Sequence, residues 1–312
     1  MDTGPQIAGH TIPQEQHMRT DVRFPTNGLQ LAGHLYLPDG VDGPLAAIVV
    51  GHPTTGVKEQ APAAYATRLV KEGFAVLTFD AAFQGESEGM PRGLEDPFQR
   101  AEDFRAAVSY LTTRPEIDPE RIGVMGVCGS GAYVPYAAQT DHRMKAVAGV
   151  SGTDVPSFFR GADPEGWQQM VASSGNLRSA EAAGEPAATF AVLPEKADAD
   201  TPAPTAEFVD YYKTPRGHHP RSTGDMVVRS ADLLDQFDSF ADVAKIAPRP
   251  LLMIAGTEAV TRGFSEKAVA DSPGNAELFL VDGATHVDLY DRDEYVTPAV
   301  ARLIEFFGKH LA

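Results

Sequence analysis

Cys128 is the residue whose place in the sequence most strongly indicates covalent chemistry. It is the only cysteine among 312 residues, and it follows an apolar run at residues 122–127 that is typical of a buried strand. Gly126 and Ser130 supply small residues two positions before and after it, which fits the sharp strand-to-helix turn that exposes a nucleophile. The N-terminus of the following helix favours a thiolate there. We therefore predict that Cys128 is a nucleophile.

Two other interpretations of this segment stay open. A free cysteine is often a small buried hydrophobic residue without a chemical role. Ser130 also lies between small residues, Cys128 and Ala132, so it matches the same pattern. The phase of the strand favours the cysteine, because Gly126 ends the strand and only Cys128 follows it by two residues.

A base must activate such a nucleophile or protonate its leaving group, and His286 has the most suitable position. It follows a short apolar run at residues 278–281 through the turn D-G-A-T, and a helical pattern begins soon after it. This loop is expected at the carboxyl edge of a parallel sheet, the edge at which Cys128 also lies. We therefore predict that His286 is the base.

Two carboxylates are candidates for the acid that would orient His286. Glu258 is the only carboxylate in the loop after the strand predicted at residues 251–255, and it gives the chain order nucleophile, acid, histidine. Asp154, which follows a strand ending at Val150, is the alternative acid. A cysteine can also work in a dyad with histidine alone, so the sequence leaves the acid open.

The oxyanion of a tetrahedral intermediate requires two backbone N–H donors. The first is expected to be Gly129, which follows the nucleophile directly. The second is expected in the turn G-H-P-T-T-G after the apolar run at residues 45–50, where its position favours Thr54. His52 in the same turn is expected to stabilise the turn rather than to carry protons.

Buried-strand patterns alternate with helical patterns through most of the chain. This alternation predicts an α/β fold with a mostly parallel central sheet and helices on both faces. An Asn-Gly pair at residues 27–28 predicts a β-hairpin between residues 22–25 and 29–37. The alternation breaks between about residues 155 and 245. The four predicted parts are an N-terminal arm (1–20), a first part of the core (21–154), an inserted, mainly helical cap (155–245) and a second part of the core (246–312).

The predicted cap holds aromatic and basic residues that suit a substrate pocket. The residues that we expect to line it are Trp167, Tyr211, Tyr212, Arg216 and His218. Residues 180–204 are rich in Ala, Glu, Pro and Asp, so we expect a mobile or surface segment there. The adjacent His218 and His219 are poor metal ligands, because neighbours in an extended chain point apart. Neither a metal nor a cofactor is expected.

Charge and composition exclude several classes of partner. The net charge of −17 argues against nucleic acid and against anionic membranes, since both require a basic surface. A single cysteine excludes an internal disulfide and fits a reducing compartment. The sequence shows neither a leader pattern nor an apolar run of membrane-spanning length, so a cytoplasmic location is expected. The sequence leaves a homodimer open.

Several motifs together resemble one group of the α/β-hydrolase superfamily. They include R-I-G-V-M-G-V-C-G-S-G-A-Y, G-H-P-T-T-G-V-K-E-Q, Y-Y-K-T-P-R-G-H-H-P-R-S-T and A-T-H-V-D-L-Y-D. The group includes the fumagillin polyketide transferase and bacterial hydrolases of unknown substrate, and the cysteine at the turn is also similar to dienelactone hydrolase. The resemblance covers nearly the whole chain from about Val22. The departure lies at Ala259 and Val260, where relatives are expected to carry an aspartate.

The resemblance implies the α/β-hydrolase fold and acyl transfer through a thioester on Cys128. The expected function is hydrolysis of an ester or thioester, with a small-molecule acyl substrate that is free or carrier-bound. Two alternatives are kept. One is an acyltransferase that moves an acyl or polyketide chain to an alcohol, and the other is a non-catalytic ligand-binding protein with the same fold.

Overall fold

A central eight-stranded sheet organises the fold. The structure, a computed structural model, describes residues 18–40 and 43–312. Its strands are β1 (Met18–Thr26), β2 (Leu29–Leu37), β3 (Leu45–Gly51), β4 (Ala75–Phe79), β5 (Ile117–Val127), β6 (Ala146–Val150), β7 (Thr189–Ala191), β8 (Asp225–Val227), β9 (Leu251–Gly256) and β10 (Ala276–Val281). The central sheet has the order β1-β2-β4-β3-β5-β6-β9-β10, and β7 pairs with β8 in a separate small sheet. From β4 to β10 all neighbouring strands of the central sheet are parallel.

Helices connect the parallel strands and cover both faces of the sheet. They are α1 (Ala61–Leu69), α2 (Pro97–Thr112), α3 (Ser130–Ala138), α4 (Val155–Ala162), α5 (Pro164–Ala182), α6 (Ala203–Lys213), α7 (Ser230–Asp235), α8 (Arg262–Ala270), α9 (Asp288–Asp291) and α10 (Asp293–His310). Aspartate side chains cap the N-termini of several of them. At the start of α2, for example, Asp96 accepts hydrogen bonds from the backbone N–H groups of Phe98 and Gln99. No helix in the described part of the chain combines the length and apolarity needed to cross a membrane.

The apolar runs are continuous because the inner strands are buried on both faces. Along β3, Ala47 and Val49 belong to a core cluster shared with α2 and α3, whereas Ile48 and Val50 belong to a cluster shared with α1 and α10. This alternation is the two-residue period of a strand that has apolar neighbours on each side. The predicted fold class, a mostly parallel sheet covered on both faces, is confirmed.

The N-terminal hairpin differs from the prediction at its start. Asn27 and Gly28 both have positive φ, 41° and 82°, as their sequence predicted for a tight turn. However, β1 begins at Met18, so residues 18–20 of the predicted arm belong to the sheet. Because β1 is an edge strand with exposed polar side chains, its sequence lacks the apolar pattern by which the inner strands are recognised. The rest of the predicted arm, residues 1–17, lies outside the described residues.

The segment that interrupts the alternation, residues 155–245, connects β6 to β9. We call it the inserted segment. It contains four helices, α4 to α7, and the small sheet of β7 and β8. The prediction of a mobile or surface stretch at residues 180–204 is wrong for part of its length. Strand β7 pairs with β8, Leu193 is buried, and Phe190 and Val192 are partly buried against the core.

Candidate active site

Cys128 lies on the sharp turn between β5 and α3. Its φ is 58°, a left-handed conformation that is strained for a residue with a side chain. The turn is held by backbone hydrogen bonds: the N–H of Cys128 donates to the carbonyl of Val150 (2.9 Å), and its carbonyl accepts from Gly131 (2.8 Å) and Thr153 (3.1 Å). A Cβ atom at position 126 would lie 2.1 Å from the carbonyl oxygen of Ser130, so only glycine fits before the turn. Strain held in this way is typical of functional sites.

Ser130, the rival nucleophile, has a different environment. It is the first residue of α3 and is almost fully buried. Its hydroxyl donates to the carbonyl of His52 (2.6 Å) and accepts from Arg100 Nη2 (3.2 Å). It does not belong to the lining of the large cavity, whereas Cys128 does. The surroundings of the two residues therefore favour Cys128.

Four hydrogen-bonding groups surround the Cys128 thiol. Burial raises the pKa of the thiol, and hydrogen bonds from the Tyr290 hydroxyl, the backbone amides of Gly129 and Thr54 and the Thr153 side chain oppose that rise. Both amides predicted for the oxyanion hole thus face the sulfur. They lie close together, since a Cβ atom at position 129 would be 3.5 Å from the backbone nitrogen of Thr54. Such a pair of N–H groups can stabilise negative charge that develops next to the sulfur.

A buried cluster of charged side chains fixes the turn that contains Thr54. Lys58 and Asp80 are almost completely buried, and Lys58 Nζ lies 2.8 Å from Asp80 Oδ2. The same nitrogen contacts Glu59 (2.8 Å) and Glu86 (2.7 Å), and the backbone N–H of Lys58 donates to Asp80 Oδ1 (2.8 Å). Charged groups replace solvent around Lys58, so the turn that carries the Thr54 amide is anchored to the loop after β4.

His286 is fully buried and contacts two neutral side chains. Its Nδ1 lies 2.6 Å from Thr261 Oγ1, and its Nε2 lies 3.0 Å from the Tyr290 hydroxyl. Burial lowers the pKa of His286 to about 3. The backbone carbonyl of His286 accepts a hydrogen bond from Ser151 Oγ (3.0 Å). The imidazole is therefore neutral at physiological pH and is oriented by hydroxyl groups.

Neither predicted acid reaches His286. Glu258 has an exposed side chain, because its backbone N–H pairs with the carbonyl of Ala284 and leaves the carboxylate in solvent. Asp154 caps α4 through the N–H of Ser157 and accepts a short hydrogen bond from Ser239 Oγ (2.6 Å). Within residues 18–40 and 43–312, the position of the acid is filled by Thr261, which immediately precedes α8. The triad predicted with Glu258 or Asp154 is thus not formed in this structure.

An apolar cavity of about 800 Å³ opens above Cys128. Thr54, Thr153 and Tyr290 lie in its lining and also contact the thiol, and Thr261 is a further lining residue. The remainder comes largely from the inserted segment, and the large apolar side chains that it contributes are Val155, Phe158, Phe159, Met170, Phe190, Val192, Leu193 and Phe208. Asp163 is the one charged residue in this lining as far as the described chain shows. The cavity suits an uncharged apolar group.

Of the five residues predicted to line the pocket, the structure places only Tyr212 there. Trp167 lies behind the lining, stacked on Phe159 with ring centroids 6.0 Å apart, and its indole N–H donates to Asp235 (2.9 Å). Tyr211 packs against the outer side of Tyr290. Arg216 is held by Asp210 and Asp291, and His218 is exposed. These four predictions are wrong because composition identifies aromatic and basic residues but not the direction of each side chain.

The inserted segment also makes hydrogen bonds and ring contacts with the loop that carries His286. Glu207 on α6 accepts hydrogen bonds from the Thr285 hydroxyl and from the backbone N–H of Val287 (3.3 Å). Burial raises the pKa of this carboxyl to about 7. Phe208, the next residue, packs against the imidazole of His286 with ring centroids 5.1 Å apart. The inserted segment therefore contacts the imidazole of His286 as well as lining the cavity.

Two site residues were not identified from the sequence. Tyr290 follows His286 by four residues, one helical turn, within the A-T-H-V-D-L-Y motif, and this spacing was the available signal. Thr261 lies three residues beyond Glu258, where a search for carboxylates passes over a hydroxyl. No group of three or more His, Cys, Asp or Glu side chains suited to a metal ion is found among the residues that the structure describes.

The sequence of this chain is similar to those of known proteins. The model of the dienelactone hydrolase family matches residues 31–164. The uncharacterized protein YcjY of Escherichia coli (strain K12) is 35% identical over 296 residues, which cover 91% of this chain and 95% of that protein. Thiohydrolase aneE of Aspergillus aculeatus is 38% identical over 176 residues (56% of this chain, 54% of that protein). Polyketide transferase af380 of Aspergillus fumigatus is 35% identical over 134 residues (43% and 45%).

A solved structure is similar over its full length. The crystal structure of hypothetical protein PA2218 from Pseudomonas aeruginosa has a TM-score of 0.88 and 32% identity, and the match covers 99% of this chain and 100% of that one. The resemblance inferred from the motifs is confirmed by these matches. The chain belongs to the dienelactone hydrolase family of α/β-hydrolase enzymes.

Proposed function

We propose that this enzyme cleaves esters or thioesters through an acyl-cysteine intermediate on Cys128. One observation carries the proposal. The thiol lies on a strained turn with φ of 58°, at the base of an apolar cavity, and the backbone N–H groups of Gly129 and Thr54 face it. A nucleophile, two oxyanion donors and an enclosed apolar space are the parts that acyl transfer requires.

In the proposed reaction, the sulfur of Cys128 attacks the carbonyl carbon of the substrate. The carbonyl oxygen becomes an oxyanion and accepts hydrogen bonds from the amides of Gly129 and Thr54. The proton lost from the thiol is held on His286 and is then given to the leaving alcohol or thiol. Water, deprotonated by the same histidine, hydrolyses the thioester and restores the enzyme.

The electrostatics of the site favour a neutral resting state. Burial raises the pKa of Cys128 and lowers that of His286 to about 3, so a thiol faces a neutral imidazole at neutral pH. Proton transfer then accompanies attack on the carbonyl instead of preceding it. A thiol supports such a reaction better than a hydroxyl, because its proton is more acidic and its sulfur more nucleophilic.

The cavity supports an uncharged, apolar acyl group as the substrate. Apart from Asp163 its lining is neutral along the described chain, and it has the volume of a typical site for a drug-sized ligand. Thiohydrolase aneE, whose name indicates cleavage of a thioester, is 38% identical to this chain over 176 residues, which supports a thioester as one substrate class. We therefore infer a substrate with a long or aromatic acyl chain and a small alcohol or thiol leaving group.

Acyl transfer to an alcohol is the second candidate. It is favoured by the match to polyketide transferase af380 and by a cavity whose apolar lining limits the access of water to the intermediate. The two candidates differ in how the acyl group divides between water and an added alcohol. An excess of a small alcohol should leave the total rate of product release unchanged for a hydrolase, while a transferase forms the new ester in preference to the free acid.

The test of the proposal is mass spectrometry of the enzyme after brief incubation with p-nitrophenyl esters of increasing acyl length. An acyl adduct on the peptide that contains Cys128 is expected, together with loss of turnover in Cys128→Ala. Ser130→Ala is the matched control, because its hydroxyl bonds to His52 and lies outside the cavity lining. An adduct on Ser130, or an active Cys128→Ala enzyme, would refute the cysteine nucleophile.

A further inference from the structure

Tyr290 occupies the position between the proposed nucleophile and the proposed base. It lies on α9, is fully buried as a residue, and still contributes to the lining of the cavity above Cys128. Its hydroxyl lies 3.0 Å from His286 Nε2. Tyr290 and Cys128 line the same cavity, and a hydrogen bond with this hydroxyl lowers the pKa of the thiol. The Tyr290 phenol thus lies between the sulfur and the imidazole.

The thiol and the imidazole have no direct hydrogen bond to each other in this structure. For the described residues, the partners of the His286 ring nitrogens are Thr261 and Tyr290. The hydrogen bonds that lower the pKa of the thiol come from Tyr290, Thr153 and two backbone amides, and His286 is not among them. The shift in the pKa of His286 comes from burial alone, which agrees with a ring that has no charged neighbour. A proton that leaves the sulfur for the histidine therefore meets the Tyr290 oxygen first.

We propose that Tyr290 is a catalytic residue that relays the proton between Cys128 and His286. The proposal rests on the acyl-cysteine function proposed above, because it describes how the nucleophile of that reaction is activated. It differs from a nucleophile–histidine–acid triad, in which the histidine contacts the nucleophile directly and a carboxylate supports the histidine. Here hydroxyl groups occupy both places, Tyr290 at Nε2 and Thr261 at Nδ1.

The relay balances with two proton transfers. As the sulfur forms its bond to the carbonyl carbon, the S–H bond breaks and its proton passes to the Tyr290 oxygen. The O–H bond of Tyr290 breaks at the same time, and that proton passes to Nε2, while the π electrons of the carbonyl move onto its oxygen. This requires the tautomer of His286 that carries its resting proton on Nδ1 and donates it to Thr261 Oγ1. When the intermediate collapses, Tyr290 gives one proton to the leaving alcohol or thiol, and Nε2 returns one proton to the Tyr290 oxygen.

Donor and acceptor roles fix the direction of the relay. A phenol has one proton to donate, so Tyr290 can donate to Nε2 only if the Cys128 S–H donates to the Tyr290 oxygen in the resting thiol. After both protons have moved, the Tyr290 hydroxyl donates to the sulfur. A hydrogen bond in this direction lowers the pKa of the thiol.

The relay is tested with Tyr290→Phe, which keeps the buried ring and removes only the hydroxyl. We expect kcat/KM for a p-nitrophenyl ester to fall by about 10²-fold, the scale of proton-transfer catalysis. The acylation rate of the wild type in mixtures of H₂O and D₂O should follow a bowed curve, because two protons move together. Thermal unfolding should show that the variant is folded.

Tyr65→Phe is the matched control. Tyr65 is also a fully buried tyrosine, and its hydroxyl donates to the carbonyl of Leu289, next to Tyr290, without lining the cavity (2.7 Å). Its kcat/KM should stay within about threefold of the wild type, even if the lost hydrogen bond lowers stability. A structural role for the buried tyrosines would instead make the two variants equal in their loss.

The outcomes separate the relay from the function on which it rests. An acyl adduct on wild-type Cys128, a loss of tenfold or more in Tyr290→Phe and a bowed isotope curve support the relay. The relay is overturned if the adduct forms but kcat/KM of Tyr290→Phe falls less than tenfold. It is also overturned if the isotope curve is linear, which indicates that one proton moves in the transition state. Either result leaves the acyl-cysteine function standing. No adduct on the wild type overturns both.

Discussion

The two sides of the candidate site are held in different ways. On the side of the proposed nucleophile, backbone geometry decides the positions: Cys128 is fixed by the turn between β5 and α3, and the Thr54 amide by a turn that the buried pair Lys58–Asp80 anchors. On the side of the proposed base, side chains decide: His286 is held by the hydroxyls of Thr261 and Tyr290, and its loop by Glu207. Ionic contacts anchor the first side, while the described partners of the His286 ring are neutral.

This contrast bears on how the proposed reaction would run with Thr261, the described residue at His286 Nδ1, in place of a carboxylate. A neutral imidazole with a pKa near 3 is a weak base, so the acceptor side of the site contributes little driving force for removing a proton. In the proposed reaction the other side compensates, because a cysteine sulfur is a strong nucleophile and the amides proposed for the oxyanion are fixed in place before the substrate arrives.

The largest effect is expected from Cys128→Ser. A hydroxyl holds its proton far more tightly than a thiol, and the described residue at His286 Nδ1 is Thr261, which cannot stabilise an imidazolium as a carboxylate would. We expect kcat/KM to fall by roughly 10³-fold or more, comparable to the loss in a serine enzyme whose triad acid is removed. Steady-state kinetics with a p-nitrophenyl ester measures the effect. A variant within tenfold of the wild type would show that His286 is a stronger base than its surroundings indicate.

Lys58→Met tests the ionic anchor on the nucleophile side. The substitution removes the charge that faces Asp80, which is fully buried and would be left without its partner. The free energy of unfolding should fall by about 3–5 kcal/mol, as for other broken buried ion pairs. Urea denaturation measures it. Lys145→Met is the control, because the partner of Lys145, Glu120, is largely exposed, and this pair is worth less than about 1 kcal/mol.

Thr261→Asp should strengthen the base side. A carboxylate next to Nδ1 stabilises the imidazolium, so the pKa of His286 should rise from its low value. The Cys128 thiol should then lose its proton at lower pH, and its alkylation by iodoacetamide at pH 6–7 should become about tenfold faster. Thr261→Val, which removes the hydroxyl at nearly constant volume, should not accelerate alkylation. Equal rates in the wild type and Thr261→Asp would mean that Nδ1 does not control the base.

The smallest effect concerns Glu207, which links the inserted segment to the base side. Burial raises the pKa of this carboxyl from 4.5 to about 7, so between these values the folded protein keeps a proton that the unfolded chain has released. Its contribution to stability therefore falls as pH rises through this window. Glu207→Gln keeps an acceptor for Thr285 and removes the titration. Relative to this variant, the wild type should lose less than about 2 kcal/mol between pH 4.5 and 7.5 in urea unfolding. Parallel pH profiles would contradict it.

The same contrast separates what the sequence could predict from what it could not. The turn at Cys128 and the amides of Gly129 and Thr54 depend on local backbone conformation, which small residues at fixed spacing indicate. The apolar runs of β3 and β9 likewise predicted buried parallel strands, because burial on both faces leaves that pattern in the sequence.

The base side could not be predicted in the same way. The loop after β9 leaves Glu258 in solvent and brings Thr261 under the imidazole, and this depends on how the loop packs on the backbone of Ala284. Trp167 and Tyr211 have the composition of lining residues but lie behind the lining, since their helices turn those side chains away. Contacts between side chains from distant parts of the chain leave no periodic signal.

The contacts between α6 and the loop that carries His286 affect how members of this family can be engineered. Exchanging residues 155–245 for the corresponding part of a relative would ordinarily be regarded as a change of specificity alone. In this chain the exchange would also replace Glu207, Phe208 and Arg216, which contact Thr285, the imidazole of His286 and the carbonyl of Val287. The donor segment would bring its own surroundings for the base. Chimeras should therefore be ranked by their pH profiles as well as by the substrates they accept.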